Sequence, residues 1–533
     1  MTFNPLHKPI YREHGVLLCF YLVSICFFSF AGYGEGADLF SAQSLRIEGK
    51  VLSVIPTNLD DRGSVEIVVV HKTGVYPKEK RWISVFSANA LAKYLTTARQ
   101  QWEVDPAASI FDVGDISSSP GKEIFYLTGQ GISYYPRKEN GIFSTAPHHL
   151  LSFPTITVFP AVGSLPRMRL FADWKRNGRK ILLLPQFDSL MFFERSRSEK
   201  WQKAERVNIQ PRTFLYSDQA DDGSFRDFSL HTEFRLPRIF VEDFNGDGHP
   251  DLLLTEQESV TIYLQQSDGH FSHKSSVKFV FPVRPSGKDS ETSLFFLSTP
   301  VDVNGDKFVD VILTLTKSTG KFLEREILIF IFLNQQDPDA PFLPKPDQII
   351  TVDGITPGIN IEDVNGDGRG DLLLSYIRVG FWNIFKNLIS KRVDLNTSIY
   401  LMKKDSQYPI QPDFHSKTSY QIDLTHGISF HGTWPTLGGD FSGDGHRDLL
   451  IARDEKITIY PKNLNGDLFS PPLIQSGVFT SPFMHIVDLN SDGRDDLLFY
   501  EKKREGKICV LLNTGEWKDL LVPKNKTSFP NEK

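Results

Sequence analysis

The chain has 533 residues, 40% of them hydrophobic and 23% charged, and a formal net charge of −6. This length can hold several domains and a large core. No basic stripe appears, which argues against nucleic-acid binding. The G-x-S-x-G, H-E-x-x-H, C-x-x-C and Gly-Lys-Ser/Thr phosphate-loop signatures are also missing, so the sequence predicts no enzyme.

The first predicted element is a leader over residues 1–31. Lys8 and Arg12 precede an apolar stretch at residues 16–30, and Ser29 and Ala31 offer the small side chains that a signal peptidase needs. We therefore predict a signal peptide and a secreted or cell-envelope protein. Residues 16–32 also approach the length of a spanning helix, so an uncleaved membrane anchor is the alternative.

After the leader we predict a linker at residues 32–44, a single repeat domain at residues 45–522 and a polar tail at residues 523–533. Two of the three cysteines lie in the leader, which leaves Cys509 in the mature chain and excludes an internal disulfide. Cys509 falls in an apolar run, so we predict a buried, inert thiol.

The first part of the repeat domain carries three incomplete acidic loops. They are recognised by Asn58, Asp60 and Glu66, by Asp112 followed by Glu123, and by Asp173 with Asn177 and Gly178. Other residues (Arg62, Gly114, Lys175 and Ile181) replace loop carboxylates there, so the sequence leaves metal binding at these loops open. Residues 194–236, rich in charge, are predicted to be a flexible excursion around Trp201.

Five complete copies of the loop D-x-[N/S]-x-D-x-x-x-D follow, each running into an apolar segment. Positions 1, 3, 5 and 9 supply side-chain oxygens, and position 7 is predicted to supply its backbone carbonyl. The residues at positions 1, 3, 5, 7 and 9 are Asp243, Asn245, Asp247, His249 and Asp251; Asp302, Asn304, Asp306, Phe308 and Asp310; Asp363, Asn365, Asp367, Arg369 and Asp371; Asp440, Ser442, Asp444, His446 and Asp448; and Asp488, Asn490, Asp492, Arg494 and Asp496.

The chemistry of these loops favours calcium. A hard divalent cation takes about 6–8 oxygen ligands, and a glycine at position 6 permits the sharp turn that brings the oxygens together. Turns are often built from Asp, Asn and Gly without any metal. However, three carboxylates at fixed offsets repel one another unless a cation compensates them. We therefore predict about five Ca²⁺ sites, the second weaker because Lys307 stands at position 6.

The longest interval between complete loops holds an insertion at residues 381–392. Phe381, Ile384, Phe385 and Leu388 fall on one face of a predicted helix. The helix either packs over its own sheet or touches a partner or a membrane surface. Apart from residues 16–32, it is the one segment for which we predict membrane contact.

The spacing of the loops predicts the architecture. Their first aspartates lie 59, 61, 77 and 48 residues apart, and each loop precedes short apolar runs bounded by turn residues. Such runs are strand signals, and about four strands per repeat closed in a circle give an all-β β-propeller. Counting the incomplete loops predicts eight blades, with seven or an open solenoid as alternatives.

The segments DFNGDGHPD, DVNGDGRGD, DFSGDGHRD and DLNSDGRDD resemble the FG-GAP and VCBS repeats of integrin α-subunit-like propellers. The resemblance covers residues 45–522 and implies calcium-binding loops and a role in adhesion or recognition. Its expected partner is a glycan or a protein at a cell surface or matrix. A secreted polysaccharide lyase or hydrolase on the same scaffold is the alternative function, and a purely structural component is a third.

Overall fold

The computed structural model describes residues 38–60, 63, 65–75, 77–89, 93–156, 163–217, 230–283, 294–297, 300–319, 324–423, 429–430, 432–463, 468–502 and 505–516. The chain divides into the units Met1–Ala37 and Asp38–Lys533, and every described residue belongs to the second. The predicted leader and the polar tail at residues 523–533 therefore lie outside the described residues. Within the described ranges, no helix has the length and apolar character needed to cross a membrane.

Short apolar runs form strands throughout the described chain, as their β-branched and aliphatic composition predicts. The first eighteen strands are β1 Phe40–Thr57, β2 Glu66–Thr73, β3 Lys80–Phe86, β4 Gln100–Glu103, β5 Ile110–Gly114, β6 Glu123–Thr128, β7 Gly131–Tyr135, β8 His148–Ser152, β9 Phe171–Ala172, β10 Ile181–Pro185, β11 Ser189–Arg195, β12 Trp201–Asn208, β13 Arg212–Ser217, β14 Leu230–Arg235, β15 Arg238–Glu242, β16 Asp251–Glu256, β17 Ser259–Tyr263 and β18 Val277–Val280.

The remaining elements include a single helix among the described residues. They are β19 Leu294–Leu297, β20 Val311–Ser318, β21 Arg325–Phe332, β22 Gln348–Asp353, β23 Ile359–Glu362, β24 Asp371–Ile377, α1 Phe381–Ser390, β25 Arg392–Tyr400, β26 Phe414–Asp423, β27 Ser429–Phe430, β28 Thr436–Gly439, β29 Asp448–Arg453, β30 Lys456–Tyr460, β31 Leu473–Ser476, β32 Phe483–Val487, β33 Asp496–Tyr500 and β34 Glu505–Asn513. The described chain is therefore all-β apart from α1.

The strands form antiparallel sheets, most of them four-stranded and built from consecutive strands. In chain order we number them sheet 2 (β5–β8), sheet 3 (β9–β12), sheet 4 (β15–β18), sheet 5 (β19–β22), sheet 6 (β23–β27) and sheet 7 (β28–β31). Strands β13 and β14 make a separate hairpin. The remaining sheet has seven strands in the order β32-β33-β34-β1-β2-β3-β4, and we call it the closing sheet.

Strand β1 joins the two ends of the described chain within the closing sheet. Its residues 40–46 pair with residues 507–513 of β34, and its residues 50–57 pair with residues 66–72 of β2. The register shifts between these two stretches. Because β1 begins at Phe40, the predicted linker at residues 32–44 was drawn too long: the partner that makes this segment a strand lies at the far end of the sequence.

Successive sheets pack on one another through apolar clusters. The clusters join the closing sheet to sheet 2, then each sheet to the next as far as sheet 7, and sheet 7 back to the closing sheet. A further cluster lies between the two halves of the closing sheet. Strands such as β16 and β33 are buried along nearly their whole length, because both faces of their sheets are covered.

Residues 194–236 do not form the predicted excursion where the structure describes them. Residues 201–208 are β12, the edge strand of sheet 3, and the Trp201 indole Nε1 donates to the Ile116 carbonyl at 3.0 Å. The strand pattern was hidden because one of its inward-facing residues is charged. That residue, Glu205, is 4% exposed and lies 3.3 Å from the Lys175 ammonium.

The predicted helix of the long insertion is present as α1. Phe381 and Phe385 are 52% and 51% exposed, Ile389 is 69% exposed, and the two phenylalanine rings stack 6.5 Å apart. These side chains therefore do not cover the sheet beneath them. The side chain of Leu388 lies outside the described residues. Cys509 is buried in β34, as the sequence predicts.

Candidate functional site

Each complete acidic loop links the first strand of a group of four or five strands to the second. Four of the loops lie between β15 and β16, β23 and β24, β28 and β29, and β32 and β33, and the second precedes β20. Position 9 opens the second strand of these four groups, and in the second loop it stands one residue ahead of β20. The repeated spacing thus places all five loops at equivalent points of the fold.

The position 1 carboxylate folds each loop around itself. In the first loop, Asp243 Oδ1 accepts from the Asp247 amide at 3.1 Å, and Oδ2 accepts from the Gly248 amide at 2.8 Å. The same two bonds recur at Asp302, Asp363, Asp440 and Asp488. A short acidic side chain is suited to this task because it reaches backbone amides four and five residues ahead.

Positions 3 and 5 continue the network within the loop. The Asn245 amide nitrogen donates to Asp247 Oδ2 at 2.9 Å, and Asp247 Oδ1 accepts from the His249 amide at 2.8 Å. At position 7, Arg494 forms an ion pair of 2.7 Å with Asp492, and Arg369 pairs with Asp367 in the same way. In these two loops, a guanidinium already compensates one carboxylate.

The position 9 aspartate is a buried connector. Asp251 is 0% exposed; its Oδ2 accepts from the Phe244 amide at 3.0 Å, and its Oδ1 accepts from the Gln265 amide beyond β17 at 2.8 Å. Equivalent pairs of bonds hold Asp310, Asp371, Asp448 and Asp496, each also 0% exposed. This side chain therefore ties the loop to the end of the third strand.

Burial and crowding make the position 9 carboxyls hard to ionise. Burial, reinforced by the charges of Asp247 and Asp243 and opposed by the two backbone bonds, raises the pKa of Asp251 to about 7. The same causes raise the pKa of Asp310 and Asp496 to about 7 and that of Asp371 to about 6. At Asp448, burial and the charge of Asp444, opposed by three backbone bonds, raise the pKa to about 6. Each loop thus concentrates negative charge that lacks full compensation.

The donor set of the loops fits a hard cation: carboxylate, amide or hydroxyl, and carbonyl oxygens. Nevertheless, among the described residues no three His, Cys, Asp or Glu side chains are placed so that they can hold a metal ion as they stand. The oxygens instead accept from the amides of their own loop. Binding a cation would exchange some of these contacts for metal contacts, without the need for other residues.

Two loop positions require positive φ, and only position 6 was predicted from the sequence. At position 6, Gly248 has φ 84° and Lys307 has φ 74°; at position 4, Gly246 has φ 71° and Ser491 has φ 62°. The recurrent Asn-Gly-Asp-Gly pattern was the available signal for position 4. A Cβ on Gly246 would lie 3.1 Å from the Phe308 ring, so neighbouring loops also pack against each other.

Side chains from one sheet cap the loop of the preceding sheet, a contact that no sequence signal revealed. Asn334 Nδ2 donates to the Phe244 carbonyl at 3.3 Å, and Asn513 Nδ2 donates to the Phe441 carbonyl at 2.9 Å. Each acceptor belongs to position 2 of the preceding loop. The backbone amides of Asn334 and Asn513 bind the position 9 aspartates of their own sheets, so these residues connect consecutive loops.

The first two incomplete loops have a glutamate in place of the position 9 aspartate, and it makes the same bond to the loop. Glu66 Oε2 accepts from the Leu59 amide at 2.9 Å, and Glu123 Oε2 accepts from the Ile116 amide at 3.0 Å, seven residues earlier in each case. The second incomplete loop therefore starts at Asp115, and the prediction that it starts at Asp112 is wrong. Asp112 lies within β5, where it accepts from Arg167 Nε at 3.0 Å.

Basic side chains stand close to the incomplete loops. Arg137 of the next sheet donates to the Leu59 carbonyl at 2.5 Å and lies 3.7 Å from Asp60 and 3.9 Å from Glu66. At the second loop, Arg195 of sheet 3 donates to the Ser117 carbonyl at 2.8 Å and lies 3.7 Å from Asp115. These guanidinium groups supply positive charge to the loop of the preceding sheet. Lys462, buried just beyond β30, holds the equivalent position beside the third complete loop, where it interacts with the charges of Asp371 and Asp363.

A cavity of about 590 Å³ lies at the opposite ends of the strands from the acidic loops. Arg238 and Ile359, the first residues of β15 and β23, line it, and so does Trp434, two residues before β28. The hairpin β13–β14 contributes Arg212 and Arg235. This cavity was not predictable from the sequence, because its residues come from four sheets and a hairpin that are far apart in the chain.

The FG-GAP-like repeat family matches residues 243–313 and 440–499. None of the curated protein sequences compared with the chain matches it. Solved structures with a partial likeness include an Agrocybe aegerita lectin described as recognising non-reducing terminal N-acetylglucosamine, at 14% identity, covering 89% of this chain and 99% of the lectin with a TM-score of 0.38.

Two further structures show a similar degree of likeness. The Dos1 propeller is 10% identical, with coverage of 89% of this chain and 94% of its own and a TM-score of 0.40. The V. cholerae biofilm matrix protein Bap1 is 11% identical, with coverage of 88% of each chain and a TM-score of 0.26. Likenesses this weak assign neither fold nor function. The family match does confirm the resemblance noted in the acidic loops: the chain contains FG-GAP-like repeats, at residues 243–313 and 440–499.

Proposed function

We propose that the chain is an exported binding module built as an eight-bladed β-propeller. In this proposal the closing sheet counts as two four-stranded blades: β32–β34 with residues 40–46 of β1, and residues 50–57 of β1 with β2–β4. The circular order of the apolar clusters supports it, since the last sheet packs against the first. An open solenoid would leave its terminal sheets uncovered.

We further propose that the five complete loops bind Ca²⁺ through positions 1, 3, 5 and 9, together with the position 7 carbonyl. The observation that carries this proposal is the repeated buried aspartate at position 9, whose pKa is raised by burial and by the two carboxylates beside it, as at Asp251. A bound cation would compensate this charge in every complete loop. Arg369 and Arg494, already paired with position 5, would make the third and fifth sites weaker.

The first three loops are proposed to need no metal. Arg137 and Arg195 bring guanidinium groups to the first two, and in the third Lys175 takes position 3 and pairs with Glu194 at 3.1 Å. Calcium would therefore stabilise the carboxyl-terminal five blades more than the amino-terminal three.

Recognition of a glycan or of a surface or matrix protein is the proposed role. Support comes from the FG-GAP-like repeats and from the lack of catalytic motifs in the sequence. The cavity does gather basic groups, as the alternative of a carbohydrate-active enzyme expects. However, the one carboxylate among its lining residues, Glu256, forms an ion pair of 2.7 Å with Arg212, and glycoside hydrolysis uses two carboxyl groups.

Thermal unfolding with calcium and with a chelator tests the metal proposal. We expect calcium at a hundredfold excess over its dissociation constant to stabilise by about 2.7 kcal/mol per independent site. Hydrogen exchange followed by mass spectrometry should show that a chelator speeds amide exchange in residues 238–502 before it does so in residues 40–195.

Variants test the loops themselves. In Asp488→Asn, calcium should raise the melting temperature less than in the wild type, whereas in Asp268→Asn, which lies in a turn outside the loops, the increase should be unchanged. An unchanged melt in chelator would refute calcium binding.

A glycan array and a pull-down with surface proteins test the binding role, with the purified chain as the probe. Retained glycan or protein supports a binding module, whereas sugar cleavage without retention supports the enzyme alternative. For export, mass spectrometry of the mature chain should find an amino terminus near Gly32. An intact Met1 in a cytoplasmic fraction would contradict the leader.

A further inference from the structure

Helix α1 turns its apolar side to solvent. Phe381, Phe385 and Ile389 follow one another at intervals of four residues, so their side chains form one stripe along the helix. Each is at least half exposed, and Ile384, at the edge of the stripe, is half-buried. A helix on the surface of a folded domain ordinarily packs its apolar stripe against the core. The stripe of α1 faces the other way.

The polar side of α1 faces its own sheet. Asn383, Lys386 and Asn387 lie on the side of the helix opposite the stripe. They line a cavity of about 290 Å³ together with side chains of sheet 6, among them Asn396 of β25 and His415 of β26. Because its polar side lies over the sheet and its apolar side faces solvent, α1 has the reverse orientation of an ordinary surface helix.

The segment that carries the stripe is basic. Residues 378–392 include four basic residues and no acidic one. Arg378 stands before the helix and Lys391 directly after it; both are exposed, and neither side chain forms an ion pair with another described residue. Arg392 pairs with Asp454 at 2.9 Å. The stripe is therefore bordered by positive charge at each end.

Carboxylates near the helix compensate part of this charge. Asp394 of β25 is shared by two ammonium groups, at 2.9 Å from Lys417 and 3.5 Å from Lys386. Glu324 lies beside the start of the helix, with its Cγ 3.5 Å from the place that a Cβ on Gly380 would take. Together the described side chains around the stripe comprise five basic groups and three carboxylates, so the excess charge is positive.

The helix lies away from the acidic loops. It connects β24 to β25, and β24 begins at Asp371, which is position 9 of the third loop. Helix and loop therefore stand at opposite ends of the same strand. An anionic surface that met α1 would not approach the loop carboxylates, and the loops would stay open to a cation.

We propose that α1 docks the protein on an anionic lipid bilayer. The apolar stripe of Phe381, Phe385 and Ile389 enters the layer between headgroups and acyl chains, and the basic groups at its ends lie level with the lipid phosphates. Such a surface accounts for both properties of the helix, because its acyl region takes up apolar side chains and its phosphates attract cations. The inference adds a second contact surface to the proposed recognition role and does not depend on it.

Flotation of the full chain with lipid vesicles tests the inference. At low salt, we expect the chain to bind vesicles of phosphatidylcholine and phosphatidylglycerol at least about tenfold more tightly than vesicles of phosphatidylcholine alone, since each basic group near an anionic surface strengthens binding about fivefold. Raising the salt concentration should weaken binding. Inorganic phosphate at equal ionic strength should not compete. A retained leader would act alike on both kinds of vesicle and on every variant.

Matched variants locate the contact. Ile389→Ser should weaken binding to the mixed vesicles by about tenfold, because an aliphatic side chain is lost from the lipid phase. Ile410→Ser should bind as the wild type does, because Ile410 is 92% exposed in the connection at the other end of β25. Lys391→Gln should weaken binding about fivefold, whereas Lys404→Gln, in that same connection, should not. All four side chains are exposed, so no variant should shift the melting temperature.

The inference is overturned if the chain does not bind the mixed vesicles, binds neutral vesicles equally well, or loses no more affinity in the α1 variants than in their controls. Competition by inorganic phosphate would indicate a site for a free anion and would also reject it. A protein partner that Ile389→Ser loses, without vesicle binding by the wild type, would assign the stripe to that protein. Glycan retained on the array leaves the recognition role in place whatever the vesicles show.

Discussion

At the scale of single residues, one buried aspartate connects each acidic loop to the end of the third strand. Asp251 and its equivalents accept an amide from the loop and another from the end of the third strand. Predicting an oxygen ligand at position 9 depended on spacing alone. The structural role of the same carboxylate was not predictable. Its second donor lies fourteen residues away and is a backbone amide, which a residue of almost any type can supply.

A substitution in the second loop tests the importance of positive φ. Lys307 occupies position 6 with φ 74°, where glycine stands in the other four loops. Holding a non-glycine residue at positive φ costs about 1–2 kcal/mol of folding free energy. Glycine avoids this strain, but it loses more conformational entropy on folding, which costs about 0.5–1 kcal/mol. We expect Lys307→Gly to raise the free energy of unfolding by about 0.5–1 kcal/mol in urea denaturation. Lys307→Ala should bring no such gain, and a gain of equal size would point to charge instead of backbone strain.

His71 predicts a pH dependence. It is 0% exposed in β2, with Nδ1 at 2.8 Å from the Glu48 carbonyl and Nε2 at 2.9 Å from Ser84 Oγ. Burial lowers the pKa of this imidazole, so the folded chain keeps it neutral while the unfolded chain takes up a proton below about pH 6.5. Its contribution to stability is therefore present above pH 6.5 and lost as the pH falls.

The loss amounts to at most about 1.4 kcal/mol per pH unit for one proton. Denaturation of the wild-type chain and of His71→Gln at pH 7 and pH 5 measures it: the change in unfolding free energy from pH 7 to pH 5 should be less favourable in the wild type than in the variant. The position 9 aspartates add stability as the pH falls in both proteins, so their effect cancels in the comparison. An equal change in the two proteins would mean that His71 is not buried as a neutral group.

At the scale of elements, a basic side chain from one sheet stabilises the incomplete loop of the sheet before it. Arg137 is 5% exposed, donates to the Leu59 carbonyl and lies near Asp60 and Glu66. The sequence shows that a loop has lost carboxylates, but it does not show which distant basic side chain lies beside that loop in the fold. The distance of 78 residues between Arg137 and Leu59 explains why this contact was missed.

Removing this guanidinium should be costly. Arg137→Met keeps the length of the side chain but leaves a buried carbonyl and carboxylates without their donor, and we expect a loss of about 2–4 kcal/mol in the free energy of unfolding. Arg99→Met, at an exposed arginine that contacts the Asn140 carbonyl at 2.9 Å, should change stability by less than about 0.5 kcal/mol. A loss of similar size in both variants would argue against a special role for Arg137.

The strands were predictable to different degrees. Runs such as those of β16 and β33 combine aliphatic residues with clear turn signals, because both faces of these strands are buried. Strand β12 was missed because Glu205, compensated by Lys175, takes an inward position that a pattern of apolar residues would assign to a hydrophobic side chain. The basic cavity could not be predicted either, because only the folded arrangement brings Arg212, Arg238 and Trp434 together.

At the scale of the whole molecule, pairing of β1 with β34 connects the ends of the described chain. The repeat period predicted a circular arrangement, but it did not identify the strand that completes the last sheet. That strand lies in a segment without a loop motif, and its partner is more than 450 residues away. Long-range pairing of this kind leaves no local signal.

A disulfide across this junction tests the closure. Ser44 and Cys509 are directly opposite each other, and such pairs have Cα separations within the range that a disulfide spans. We expect Ser44→Cys to form this bond under oxidation, although burial raises the pKa of the Cys509 thiol and slows the reaction. The oxidised form should be about 2–4 kcal/mol more stable than the reduced form. Ala42→Cys, opposite Leu511, should form no internal disulfide, and failure of Ser44→Cys to crosslink would contradict the β1–β34 register.

The shared strand also has a consequence for synthesis. Residues 40–46 emerge from the ribosome early, but their partner, which ends at Asn513, is translated 473 residues after Phe40. At about 5–20 residues per second, the amino-terminal half of β1 waits roughly half a minute to a minute and a half for its neighbour. During that interval its hydrogen-bonding groups stay exposed to chaperones and to other nascent chains.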